Sequence, residues 1–156
     1  MAKINNCRFC QSKNLIPYLN LGFTPLADRF LSSQQLNKPE KYYPLVVVLC
    51  IKCGLSQLNY TVDPKELYQE DYPYSMSLTK TGSDHYESFA ALVSKKFNLT
   101  NKDLIVDIGS NVGILLGGFK KYGIQVLGVD PAENMAKIAC KKGIETIADF
   151  FTPTVA

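Results

Sequence analysis

The sequence contains no long apolar run. Its longest, Leu45–Ile51, is seven residues, against the roughly 20 that a membrane-spanning helix requires, so no membrane is expected among its partners. The N-terminus, Met-Ala-Lys-Ile-Asn-Asn, lacks the charged-then-apolar order of an export signal, which points to the cytoplasm. A strong charge of either sign is also missing. The 17 Lys and Arg are interspersed with 14 Asp and Glu, for a net charge of +3, too mild an excess to argue for nucleic acid. Internal repeats and linkers of biased composition are absent. What remains is the composition of a chain that folds around a core, 46% hydrophobic and 20% charged over 156 residues, the size of one domain or two small ones.

Five cysteines are present, an odd number that weakens a disulfide framework. Four fall in two pairs, Cys7-Arg-Phe-Cys10 and Cys50-Ile-Lys-Cys53. Two such knuckles supply the four thiolates of a closed tetrahedral zinc site, and Gly54 suits the tight backbone that follows the second. The 39 residues between the pairs require a folded insertion. A redox pair or simple thiol packing are the competing readings, but a redox motif belongs at a strand-to-helix junction, where neither pair lies. Cys140 stands alone among helical residues and reads as a small apolar side chain. Zinc needs reduced thiols, again favouring the cytoplasm.

The segment Tyr42–Tyr60 reads as a hairpin: Leu45–Leu49, rich in β-branched residues, a knuckle turn at Cys50, and extended Leu55–Tyr60. Asp63-Pro64-Lys65-Glu66 opens a short helix, with Asp63 as cap and Glu66 reaching back to it, and Tyr72-Pro73-Tyr74 breaks the pattern. Tyr86, Phe89, Ala90, Val93 and Phe97 recur at helical spacing and predict a helix over Gly82–Phe97 with these residues inward. Strands then alternate with helices: a buried strand Leu104–Ile108, a helix through Tyr122, a strand Gln125–Val129, a helix Ala132–Lys142, and a strand Glu145–Ala148. That alternation predicts a parallel sheet. The fold class is therefore α/β, a zinc-binding β-rich module over 1–79 followed by part of a parallel-sheet domain over 80–156.

The turn Asp107-Ile-Gly109-Ser110-Asn111-Val-Gly113 joins a strand to a helix, where open α/β sheets bind ligands. Its glycines are four apart, unlike the dinucleotide pattern G-x-G-x-x-G, and Asp107 would repel a pyrophosphate. The same carboxylate suits a cationic ligand such as S-adenosylmethionine. Asp130 ends the next strand, 23 residues on, where it can accept hydrogen bonds from ribose hydroxyls. The plainer alternative is that Asp107 caps a helix and Asp130-Pro131 starts one.

Taken in order, Cys7-x-x-Cys10, Leu19–Ala27, Cys50-x-x-Cys53 through Leu58, Asp71–Tyr74, Asp107–Asn111, Gly128–Pro131 and Asp149–Phe151 give the chain its family likeness. It resembles the N-terminal portion of the zinc-containing, S-adenosylmethionine-dependent sugar C-methyltransferases, which act on nucleotide-linked deoxyketosugars. The resemblance implies structural zinc, and the first half of a Rossmann-like methyltransferase sheet, here truncated. It implies that Asp107, Gly109, Ser110 and Asn111, with Gly113 in the same turn, hold the methionine part of S-adenosylmethionine, Asp130 its ribose, and Asp149 with Phe150 its adenine. Tyr72 and Tyr74 would line the site of the nucleotide-sugar substrate, although such tyrosines also simply pack at module boundaries. Where the family carries an acidic or amide residue after Asn111, this chain has Val112, which removes a polar contact.

The family's proton-transferring histidine and glutamate would lie beyond residue 156. The single His85 comes too early to be that base and reads as a surface or core residue. The expectation is an N-terminal fragment, inactive alone, whose first parallel strand forms an apolar sheet edge prone to self-association. The alternative is a non-catalytic zinc-containing binding or scaffold protein with a degenerate cofactor half-domain. A nicotinamide enzyme or a nucleic-acid zinc ribbon fits less well, given Asp107 and the mild charge.

Overall fold

The computed structural model describes residues 2–68 and 79–156. The chain forms two compact units, Met1–Leu67 and Tyr68–Ala156. Among the described residues no helix is long and apolar enough to cross a membrane.

The first unit is built on an antiparallel sheet of order β2-β3-β4, from β2 (Leu15–Thr24), β3 (Tyr43–Cys50) and β4 (Ser56–Leu58). The β-branched run Val46–Val48 sits in β3, and Val47 pairs with Leu58 of β4, so the hairpin read from the sequence is present with its turn at the second knuckle. β2 is an element that the sequence reading lacked. Its ladder with β3 shifts register between Pro17 and Leu19 and again between Asn20 and Phe23. Proline has no ladder donor, while the Asn20 side chain accepts the Gly22 N–H at 2.9 Å and Gly22 adopts φ +76°. Each reads locally as a strand breaker, yet each only bends this strand. A short pair, β1 (Ala2–Lys3) with β5 (Tyr60–Thr61), runs antiparallel.

Helix α1 (Pro64–Tyr68) starts where expected, with the Lys65 N–H donating to Asp63 Oδ1 at 2.9 Å. The expected return of Glu66 to that cap does not form. Its carboxylate is taken by stronger donors, the Tyr43 hydroxyl at 2.6 Å and the Lys41 ammonium at 2.9 Å. Tyr43 is buried and tilts against Tyr60 with ring centroids 6.2 Å apart. The carboxylate pushes the Tyr43 hydroxyl up to about 12, with burial adding to the effect.

In the second unit, α2 (Lys80–Phe97) starts at Thr79, whose hydroxyl accepts the Gly82 N–H, and ends at Asn98 in the left-handed conformation. It buries Ala90 and Ser94, with Tyr86 and Val93 half-buried beside them. Phe89 and Phe97, expected inward, are exposed. The reason is the close crossing of α2 with α3 (Ile114–Lys120): a Cβ on Gly118 would meet the Ala90 Cβ at 2.8 Å, so the contact stripe is made of small residues rather than rings.

Strands β6 (Leu104–Ile108), β7 (Gln125–Val129) and β8 (Thr146–Ile147) form a parallel sheet in that order, with α4 (Glu133–Lys141) between β7 and β8. Ile105 and Val126, paired across β6 and β7, pack against Phe119 and Ala90, and against Leu116 and Ala139. All three helices of the described unit therefore cover one face of the sheet. β6 is half-buried rather than buried. Leu104, Val106 and Ile108 alternate onto the opposite face and are 55%, 45% and 58% exposed.

Candidate metal centre and ligand turn

The two knuckles bring four sulfurs together. Cys7, Cys10, Cys50 and Cys53 place their Sγ atoms within 4.8 Å of one another, and the Cys7–Cys53 and Cys10–Cys50 pairs are each 3.6 Å apart. Thiolates about 2.3 Å from a tetrahedral zinc lie roughly 3.8 Å apart, so the donor set fits that ion. Each knuckle closes by the same bond: the Gln11 N–H donates to the Cys7 carbonyl at 3.0 Å, and the Gly54 N–H to the Cys50 carbonyl at 2.8 Å. Both donors lie in the left-handed region, Gln11 at φ +59° and Gly54 at +78°. The sequence signalled this only at Gly54, since glutamine carries no such preference.

The electrostatics favour a cation. The backbone amide of Cys10 holds the Cys7 thiol below its ordinary value. Burial opposes ionisation of Cys50, yet the amides of Cys53 and Lys52 outweigh it and bring that thiol down to about 6. The Leu55 amide favours a Cys53 thiolate, but burial of the sulfur and its three sulfur neighbours push it up to about 12. Four thiolates thus coexist here only with a positive ion among them.

A brace that sequence reasoning missed holds the first knuckle. Gln57 on β4 is buried, accepts the Arg8 N–H at 2.9 Å through Oε1, and donates through Nε2 to the Asn6 carbonyl at 3.2 Å. Only its position in a strand otherwise exposed at Ser56 and Leu58 carried any signal, a polar residue on an inward step.

In the second unit the ends of β6, β7 and β8 carry Asp107, Asp130 and Asp149 in turn, the last two residues beyond its strand. The β6–α3 turn is strongly bent. Gly109 (φ +79°), Asn111 (+51°) and Gly113 (+71°) all adopt left-handed backbone, and the Gly109 N–H donates to the Val129 carbonyl at 2.8 Å. A Cβ on Gly109 would meet nothing within 4 Å, whereas one on Gly113 would lie 3.0 Å from Ile144. Gly109 is therefore an open approach to backbone, and Gly113 a packing requirement.

Asp107 is half-buried, and its carboxyl is raised above the ordinary value by burial and by the neighbouring charge of Asp130. A cation bound at this strand end would relieve both effects. Asp130 is 7% exposed, and its two oxygens accept the Asn111 N–H at 2.7 Å and the Ala132 N–H at 2.8 Å. It both ties the turn to β7 and starts α4, and each oxygen keeps one lone pair. Ser110 is buried, with its hydroxyl against Gly128, where a Cβ would come within 2.5 Å of it.

Val112 lies in the core with Ala132 and Met135, so its methyls fasten the turn to α4. Asp149 is exposed and accepts the Phe150 N–H at 2.7 Å, with Phe150 half-buried beside it. His85 is exposed on α2, edge-on to Tyr86. Cys140, read as a small apolar side chain, lies exposed on α4, its sulfur 3.8 Å from the Thr146 carbonyl. Tyr72 and Tyr74 lie outside the described residues.

Comparison with known proteins bears on both units. The Methyltransf_13 family model, which describes a zinc binding domain, matches residues 7–68. C-methyltransferase NovU of Streptomyces niveus is 36% identical over 152 residues, which cover 97% of this chain and 36% of that relative. The chain thus spans about a third of the length of the curated relative it matches.

Proposed function

We infer, from a chain that belongs with the N-terminal portion of the zinc-containing C-methyltransferase family, that its second unit binds S-adenosylmethionine for carbon methylation of a nucleotide-linked deoxyketosugar. The observation that carries this reading is the pair of carboxylates at adjacent strand ends, with Asp107 raised by burial and by Asp130. A site that penalises its own negative charge favours a cationic ligand over a pyrophosphate.

S-adenosylmethionine supplies an electrophilic methyl group on a sulfonium. This chain's part is to bind and orient. Asp107 faces the ammonium, and the open backbone at Gly109 admits the methionine arm. The lone pairs left on Asp130 reach the ribose, and Asp149 with Phe150 borders the adenine. Asn111 acts mainly through its backbone, which Asp130 fixes, and Ser110 and Gly113 shape the turn from beneath. The sheet β6-β7-β8 with α3 and α4 is read as the opening half of a Rossmann-like domain over 80–156, and 1–79 as a module organised by structural zinc. Tyr72 and Tyr74 are assigned to the sugar side by resemblance alone.

Proton removal beside a ketone requires a base, and this reading gives none of the described side chains that role. Methyl transfer is therefore ascribed to the longer protein that the relative represents, and none is expected from the 156 residues alone. Calorimetry on the zinc-loaded chain tests the binding half. Saturable S-adenosylmethionine binding that Asp107→Asn weakens at least tenfold supports the reading; equal affinity in the variant refutes it.

A further inference from the structure

The outward face of the first unit's sheet is apolar. Register places Ile16, Leu49 and Ser56 in one row across β2, β3 and β4, and Leu19, Val47 and Leu58 in the next row on the same face. Residues directly opposite each other in an antiparallel ladder share a face, so five aliphatic side chains and one serine stand together there. The Ser56 and Tyr18 hydroxyls share a hydrogen bond at 2.7 Å, which brings the Tyr18 ring to this face as well. The row between, Pro17, Val48 and Gln57, belongs to the other face, where Val48 and Gln57 are buried.

An antiparallel sheet with one solvated face alternates apolar inward with polar outward. Strand β4 inverts that order, burying Gln57 and exposing Leu58. The knuckle brace explains why Gln57 is inward. It gives no reason for Ile16, Leu19, Leu49 and Leu58 to lie outward, each between 38% and 51% exposed. With Tyr18 and the adjoining Ile51, their exposed surface comes to roughly 600 Å², the upper end of what a monomer ordinarily presents in one apolar patch.

Two features select the mode of contact. The sheet's edges are poor templates for another strand: β2 carries Pro17 and two register shifts, and β4 has only three residues, both of which blunt an edge. Contact is therefore face to face, as in stacked sheets. The charge is also one-ended. Residues 1–27 and 41–62, which make the sheet and both knuckles, contain no Asp or Glu. Lys13 and Lys52 adjoin Asn14 and Ile51, which are joined at 3.1 Å at the knuckle end of the face, while the two rows themselves are uncharged.

We propose that two copies of the chain pack on this face, about a two-fold axis that runs across the strands. That axis sends the two knuckle ends apart, whereas an axis along the strands would bring Lys13 and Lys52 of both copies together with no carboxylate between them. Two such faces hide about 1,200 Å² in all, the lower end of specific interfaces, so a weak, reversible dimer is expected. The contact belongs to the first unit. It is separate from the β6 edge and independent of the S-adenosylmethionine reading.

The test is sedimentation of the zinc-loaded chain, run beside the same chain carrying Val106→Lys so that association through β6 is removed. Dimerisation is expected to persist in that background and to weaken at least tenfold with Leu19→Lys and, independently, with Leu58→Lys. Unchanged zinc content reports an intact first unit. Leu36→Lys, at an exposed apolar residue of the insertion, should leave the dimer as it was, and sodium sulfate should strengthen it, as apolar burial requires. Equal weakening by Leu36→Lys, or none by either face variant, overturns the site. A monomer at all concentrations in the Val106→Lys background overturns it too. If that monomer binds a hydrophobic dye that Leu19→Lys displaces, the face serves an occupant other than a second copy.

Discussion

Asp130 accepts the backbone N–H of Asn111 at 2.7 Å, across the turn that joins β6 to α3. With its other oxygen on the Ala132 N–H, one buried carboxylate fixes a left-handed residue and a helix start together. Asp107, one strand away, has its carboxyl raised by burial and by that same charge. The two aspartates should respond to amidation in opposite senses.

Asp130→Asn retains one acceptor and turns an NH2 toward a backbone N–H. Hydrogen bonds to charged groups are each worth roughly 1.5–3 kcal/mol, so a loss of about that size is expected, read as a lower melting temperature of the second unit. An unchanged melting temperature would show that the brace is dispensable.

Asp107→Asn should be neutral or stabilising near neutral pH. The folded carboxyl titrates above its unfolded value of about 3.9, so its contribution to stability is fully present below that value and is lost as pH rises through the folded pKa. Melting curves from acid to neutral pH should therefore show a falling trend in the parent that flattens in the variant. A parallel pair of curves would refute the raised carboxyl.

Zinc removal should unfold the first unit. Apparent binding energies of about 10–16 kcal/mol are typical of small structural zinc sites, and a chelator should abolish the antiparallel sheet signal in circular dichroism. Preparation without chelator should give one equivalent of zinc per chain; less than half would sink the site. Gln57→Leu should keep the four thiolates yet lower zinc affinity by roughly 10–100-fold, the usual effect of losing a group that supports metal ligands.

Gly128→Ala should destabilise the second unit by about 1–3 kcal/mol, the usual cost of overpacking. The added methyl would lie 2.5 Å from Ser110 Oγ and 2.7 Å from Thr146 Oγ1, displacing the ligand turn from one side. Equilibrium unfolding measures the loss, and weaker S-adenosylmethionine binding should accompany it.

Self-association of the 156-residue chain is proposed at β6, which among the described strands pairs only with β7. Its free edge and the exposed Leu104, Val106 and Ile108 form a surface on which two copies can pair. Sedimentation should show concentration-dependent growth in mass that Val106→Lys reduces. A monomer at all concentrations would dismiss the idea.

Much of this was legible along the chain. The four clustered thiols follow from two Cys-x-x-Cys spacings, and the bounds of β6 and β7 from two short apolar runs, because both signals are local. β2 was not legible, since Pro17, Asn20 and Gly22 break a local pattern that only pairing with β3 sustains. Val112, read as a lost polar contact, is a core residue with Ala132 and Met135, partners that lie 20 or more residues away.

The sequence by itself determined which groups are available: four thiolates, three aspartates near strand ends, and glycines where backbone must turn. Tertiary structure decided how they are used. It spends both oxygens of Asp130 on backbone amides, turns Glu66 from its cap to Tyr43 and Lys41, and buries Gln57 behind a knuckle. Each is a choice among several partners that the local chemistry allows. Proximity makes that choice, and residues distant in sequence become neighbours only when the chain has folded.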